Sequence, residues 1–363
     1  MNLSGCFRVF LLYDVAEALD LLKLREILGP TAGTVKRLFP RHTPEYISFE
    51  NAPVVESCGQ ITLDAGQPIA CSIKYYAYAV VVFQMEIPFE GNWETTIAQA
   101  ARWIDTSAFE PRGREAVRTH LERVASAVIR PRKDWLFEDY LVVDLQEIRQ
   151  PGGGRPKAPD LLSAHGNQIA ELILGEKNPL SSKEADDVLQ ASLSYYPSDL
   201  SIVGPSAALV YDRPEDADAA IQILEYARMQ LLEFRYYDDL MSRLLSEVYI
   251  TLEQTQNVLI SRWSLPRQAK RLNTIRLDVM DLTERIDNAI KFVSDTFYAR
   301  LYRLAATRFG VPDYRSLVER KLRTVGELYE FMVDQFNEAR SFVVELGIAL
   351  LCLLDVILLF RGR

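Results

Sequence analysis

DYRSLVERKLRTVGELYEFMVDQFNEARSFVVELGIALLCLLDVILLF, residues 313–360, is the stretch around which the chain is read. Its apolar positions Val318, Leu322, Val325, Tyr329, Met332, Phe336, Ala339, Val343, Leu346, Leu350, Leu353, Ile357 and Phe360 recur in alternating steps of four and three. That spacing is a heptad seam. No proline follows Pro312, so one continuous helix is predicted, roughly 70 Å long at 1.5 Å per residue. Its character changes midway. Up to Arg340 the face opposite the seam is charged (Glu319, Arg320, Arg323, Glu327, Glu330, Asp334, Glu338), whereas Phe342 to Phe360 is almost wholly apolar. The pattern predicts a helical stalk over 214–341 that runs into a transmembrane anchor at 342–360.

Two more long helices are expected upstream. Ala220, Leu224, Ala227, Leu231, Phe234, Met241, Leu245, Val248, Leu252 and Leu259 keep heptad spacing up to Pro266, and a second helix over 265–309 ends at Gly310-Val311-Pro312. Short connections force such helices to lie against one another as antiparallel neighbours. Val325, Met332, Phe336, Val343, Leu346 and Leu350 are the candidate seam for the stalk or for self-association.

The residues before them read as α+β. CFRVFLLY (6–13) has strand character, and 15–28 has helical period closed by Gly29-Pro30. IACSIKYYAYAVVVF (69–83) is apolar on both alternating faces, as in a strand covered on both sides. Helices near 93–104 and 113–129 and a strand at 137–148 complete a β-α-β-β-α-β order with one extra helix, a ferredoxin-like domain over 1–157. Pro151-Gly-Gly-Gly-Arg-Pro156 is the expected linker. A small mixed section over 158–213 follows, with helices near 160–173 and 182–193 and strands at 199–203 and 207–211.

The totals narrow the function classes. A net charge of −9 argues against general nucleic-acid binding. Cys6, Cys58, Cys71 and Cys352 lie far apart with no ligand spacing, which fits a reducing compartment. The N-terminus lacks the basic region and cleavage site of a secretory leader. His42, His120 and His165 are isolated, the glycines at 152–154 are not followed by the Gly-Lys-Ser/Thr of a phosphate loop, and no Gly-x-Ser-x-Gly elbow occurs. The expectation is a non-enzymatic protein with no cofactor or metal.

Two stretches point elsewhere. Lys74-Tyr75-Tyr76-Ala77-Tyr78 partly matches the aromatic strand on which RNA-recognition folds stack bases, although Tyr75 stands where that pattern needs Gly. With the basic cluster Arg130, Arg132 and Lys133 it makes Tyr76 and Tyr78 candidate RNA or ribosome contacts. In the tail, Glu345 and Asp355 are the acids of the apolar stretch, roughly 80° apart around the helix at about 100° per residue. Intramembrane acids usually find a partner, so both are candidates for a polar seam between anchors.

The Tyr-rich strand Tyr76–Phe83, the long helical hairpin after it, and the terminal apolar helix with acids at Glu345 and Asp355 together resemble the required-for-meiotic-nuclear-division family. The likeness covers residues 69–360 in layout. It departs at Ala79, where that family usually has Gly. The resemblance implies a membrane-anchored, oligomer-forming protein without established catalysis. The expected function is therefore a tail-anchored oligomeric scaffold, single-pass, with the bulk of the chain cytoplasmic, and no small-molecule substrate is identified. Two rival readings stand beside it: an RNA- or ribosome-contacting module on the same anchor, and a soluble oligomeric enzyme whose apolar tail is buried.

Overall fold

The structure, a computed structural model, describes residues 1–34, 53–62, 68–150, 153–255, 267, 270, 273–277, 279–280 and 297–361. The chain is mixed α+β, with a large N-terminal sheet and C-terminal helices. It divides into two compact units, Met1–Glu233 with Ala289–Pro312, and Phe234–Asn288 with Asp313–Arg363.

The first unit is built on strand β1 (Asn2–Leu19), whose residues 9–16 are all buried because both of its faces and both of its edges are covered. It pairs antiparallel with β5 (Val80–Gly91) on one side and β6 (Val128–Arg149) on the other. Beyond β5 lie β4 (Pro68–Tyr75), β3 (Val54–Thr62) and β2 (Ala32–Thr34). Beyond β6 lie β9 (Ala207–Tyr211), β8 (Leu200–Val203) and β7 (Ser192–Leu193), giving the order β2-β3-β4-β5-β1-β6-β9-β8-β7. Among the described residues β6–β9 is parallel and the other pairings are antiparallel.

One face of the sheet carries Phe7, Val9, Leu11 and Tyr13 into a core with helices α1 (Leu21–Leu28), α2 (Trp93–Ile104), α3 (Glu110–Arg123), α4 (Ala158–Leu174) and α5 (Ser182–Leu189). The other face is covered by the first half of α6 (Pro214–Thr255) and by α7 (Phe297–Phe309), where Phe309 meets the Tyr140 ring edge-on at 4.8 Å. Local chemistry sets the helix starts. Asp20 accepts from the backbone N–H of Leu22 and Lys23, and Asn92 accepts from that of Thr95, each satisfying donors that a first turn leaves open.

Three expectations need correction. Residues 15–19 are strand, not helix, because Ala16, Ala18 and Leu19 are held in register against Pro131, Ile129 and Val128 of β6. Cross-strand pairing outweighs a short helical period. The stretch 69–83 is not one strand but the hairpin β4–β5, turning at Tyr76–Ala79, with Ala79 at φ +65°. Residues 158–213 do not stand apart after the linker either, since β9 pairs directly with β6 and extends the same sheet.

The second unit holds the later part of α6 and most of α8 (Val311–Arg361), a single 51-residue helix with Pro312 in its first turn, where its missing N–H costs nothing. Leu244 and Leu245 of α6 cluster with Val325 and Met332 of α8. Lys321 contacts the Asp238 carboxylate at 2.5 Å and Ser242 at 2.6 Å. Residue numbers rise together along both segments, so they run in the same direction. The expected helix over 265–309 and the extended piece at 46–50 fall largely outside the described residues, α7 excepted.

Candidate functional site

The end of α8 is apolar and uncovered. Upstream, the seam expected from spacing is packed: Val325 and Met332 are buried and Phe336 is half-buried. Charged neighbours such as Arg315 and Glu319, paired at 2.9 Å, face outward. From Phe342 onward the seam residues Val343, Leu346 and Leu350 are exposed, and so are their neighbours off the seam. Leu351 is 66% exposed, Ile348 56% and Leu354 55%. At about 100° per residue these positions cover roughly 240° of the helix circumference. Soluble monomers seldom leave so large an apolar patch in water. Glu345 is exposed and accepts a hydrogen bond from Ser341 Oγ at 3.4 Å, while the side chain of Asp355 lies outside the described residues.

Among the described residues no helix is long and apolar enough to cross a membrane. The described side chains from Phe342 to Leu354 make about 20 Å of helix, against roughly 30 Å of bilayer hydrocarbon.

The aromatic and basic candidates are engaged within the chain. Tyr76 donates to Glu225 Oε1 at 2.8 Å, Tyr78 donates to Met229 Sδ at 3.7 Å, and the two rings stack at 5.6 Å beneath α6. Burial drives both phenols far above their ordinary value. Tyr76 is buried beneath the helix, where its ring cannot stack on a base, and Tyr78 is half-buried beside it. Arg130 and Arg132 lie on β6. Arg130 pairs with Glu17 at 2.6 Å and Arg132 with Asp14 at 2.9 Å, while Arg130 and Lys133 both remain exposed.

The sheet brings together buried charges that no motif announces. Arg8 faces Glu86 at 3.4 Å, Asp144 at 3.1 Å and Asp218 at 2.8 Å. Arg228 pairs with Glu138 at 2.7 Å. Glu56 accepts from Tyr75 Oη at 3.0 Å and Arg123 at 2.9 Å, and its carboxylate lies 2.9 Å from His120 Nδ1. Burial pushes the Glu56 carboxyl up, but His120, Tyr75 and Arg123 outweigh it and hold the group below its usual value. His120 is isolated in sequence and meets Glu56 from 64 residues away, so spacing carried no signal. These clusters fasten β3 to α3 and the sheet to α6. A groove of about 360 Å³ on the second unit, lined by Arg276, Arg323, Glu327 and Glu330, brings no nucleophile and base together. Among the described residues no group of three or more His, Cys, Asp or Glu could hold a metal ion.

A family model described as "Uncharacterized protein MJ0711, N-terminal domain" matches residues 4–218. The chain belongs to this family. The MJ0711 N-terminal match takes in the whole nine-stranded sheet and stops in the first turns of α6. "Uncharacterized protein MJ0711" of Methanocaldococcus jannaschii is 23% identical over 225 residues, 62% of this chain and 66% of that relative. The chain thus spans just under two thirds of the relative's length. No solved structure matches. Neither name is connected with meiotic nuclear division.

Proposed function

We propose that this MJ0711-family chain is a tail-anchored, oligomeric membrane scaffold, with the helix end at 342–360 as its anchor. The observation that carries the reading is the exposure of apolar side chains around most of the helix from Phe342 to Leu354. A two-helix seam covers one stripe, whereas a bilayer covers every side, and a helix apolar all round belongs in one or in a large core. Residues 355–360 supply the remaining length: the nineteen residues 342–360 amount to about 28 Å and include fourteen Leu, Ile, Val or Phe. At −0.3 to −0.6 kcal/mol each they contribute about −6 kcal/mol to insertion, against at most about 3 kcal/mol each for Glu345 and Asp355, both off centre. In this reading the sheet lies on the cytoplasmic side of the membrane.

In this reading the inner strands β4-β5-β1-β6 are a ferredoxin-like unit widened on both edges, and the stalk seam at Val325 and Met332 orders the helices above the membrane. The likeness to the required-for-meiotic-nuclear-division family supports the layout. Its glycine at position 79 suits the left-handed conformation that Ala79 adopts. The unbroken heptad of Val343, Leu346, Leu350 and Leu353 favours the second reading, a soluble oligomer with a buried tail that could house an enzyme. Alkaline carbonate extraction separates the two. The anchor reading expects the full chain to stay in the pellet and a chain ending at Ser341 to be released. Release of the full chain as a detergent-free oligomer would transfer the argument to the buried-tail reading.

A further inference from the structure

Cys58 and Cys71 sit opposite one another at an irregularity in the β3–β4 ladder. Ser57 pairs with Ser72 and Gly59 with Cys71, so Cys58 is the extra residue of a β-bulge, with Gly59 at φ +76°. A bulge sets two residues against one, and neighbouring antiparallel strands hold facing Cα atoms about 4.5–5.5 Å apart. That lies within the 4.4–6.8 Å range of disulfides. Both side chains lie against the same hydrophobic core, near enough for each thiol to shift the ionisation of the other, and the Cys71 thiol donates to the Gly59 carbonyl at 3.7 Å. Cys71 is buried while Cys58 is half-exposed.

We infer that Cys58 and Cys71 form a reversible redox modification site, closing to a cross-strand disulfide on exchange with a small-molecule disulfide such as oxidised glutathione. One protein thiolate attacks a glutathione sulfur, forming a mixed disulfide and releasing one glutathione thiol. The second protein thiol then attacks the protein sulfur of the mixed disulfide, the S–S bond closes, and a second glutathione thiol leaves. The protein loses two hydrogens and both glutathione halves gain them. The two thiols titrate as a coupled pair, in which ionisation of Cys71 is favoured and that of Cys58 is held back. The other cysteines lack this arrangement. Burial pushes the Cys6 thiol up to about 12, which leaves it a poor nucleophile, and Cys352 lies exposed on the apolar tail. The bond would tie β3 to β4 two residues from Glu56, which already fastens β3 to α3.

The test is titration of the full-length Cys352→Ser chain in oxidised and reduced glutathione, followed by intact mass and peptide mapping. The expected product is about 2 Da lighter, contains a 58–71 linked peptide, and reverts with dithiothreitol. Cys71→Ser should instead stop at a stable glutathione adduct on Cys58. A folded chain that yields no linked peptide overturns the inference, as does one in which Cys58 keeps its glutathione while Cys71 stays free.

Discussion

Lys74 and Glu225 stand 151 residues apart in sequence and 2.5 Å apart in the fold, the ammonium on β4 against a carboxylate on α6 that is also the acceptor for Tyr76. The Glu225 side chain is fully buried and that of Lys74 is 14% exposed. This contact docks α6 on the sheet by charge as well as by apolar area, and Tyr76 of the adjoining turn shares the same carboxylate.

Removing one partner should therefore cost more than removing both. Glu225→Gln keeps an acceptor for Tyr76 but strands the ammonium, an expected loss of about 3 kcal/mol. Lys74→Met combined with Glu225→Gln should recover part of that loss. Urea unfolding of the two variants checks the order. A double variant weaker than Glu225→Gln alone would show that Lys74 acts through other contacts, such as the Phe10 ring beneath it at 5.4 Å.

Asp14 should make the protein less stable as pH rises. Burial pushes its carboxyl up from 3.8 to about 6, and the Arg132 pair only partly offsets this. With the folded pKa above the unfolded one, its favourable contribution is complete below about pH 4 and lost as pH rises through about 6. Two pH units correspond to about 3 kcal/mol. Glu56 works in the opposite direction, since its lowered pKa contributes stability that is lost as pH falls. The comparison is therefore wild type against Asp14→Asn, whose stability difference should change by about that amount between pH 4 and 7. A constant difference would mean that Asp14 ionises normally.

How much of this was legible in the sequence depended on the range of each interaction. The α2 helix falls on its expected residues, because amphipathic period and the Asn92 cap are local signals. The 51-residue α8 was equally plain from its seam. The β4–β5 hairpin was hidden because Ala79, not Gly, takes the left-handed turn position, so no punctuation marked it. Joining 158–213 to the first sheet depends on β6–β9 pairing across more than sixty residues, which composition cannot report. The Arg8 cluster is longer in range still, reaching Asp144 across 136 residues, and the Glu56 cluster spans 64 to His120. Tyr76 and Tyr78, which the aromatic pattern singled out on a single strand, lie instead in the β4–β5 turn and contact α6.

Two glycines should respond in opposite senses to alanine. A Cβ on Gly5 would collide with the backbone carbonyl oxygen of Asp144 at the β1–β6 irregularity, and backbone there cannot yield cheaply. Gly5→Ala should cost about 2–3 kcal/mol. Gly347 has nothing within 4 Å of the same position, so Gly347→Ala should strengthen its helix by about 0.5–1 kcal/mol. Thermal unfolding and helicity measured by circular dichroism distinguish them. A tolerated Gly5→Ala would place the β1 register elsewhere.

The tail offers the sharpest test of what covers it, because a bilayer and a helical seam make different demands on opposite faces. Leu351 and Leu353 are 66% and 57% exposed and lie about 160° apart around α8. Leu353 belongs to the heptad seam and Leu351 does not. In a bilayer either site faces hydrocarbon or a neighbouring anchor, so lysine at each replaces a favourable leucine by a charge worth about 3 kcal/mol against insertion. That is roughly a hundredfold in the insertion equilibrium, at 1.4 kcal/mol per tenfold. Leu351→Lys and Leu353→Lys should then shift the chain from the carbonate pellet to the supernatant to a similar extent. In a soluble oligomer the seam alone is dry. Leu353→Lys would lower the sedimentation coefficient, whereas Leu351→Lys, pointing to water, would leave it unchanged. Equal sensitivity of the two faces supports the anchor, and sensitivity of the seam alone removes it.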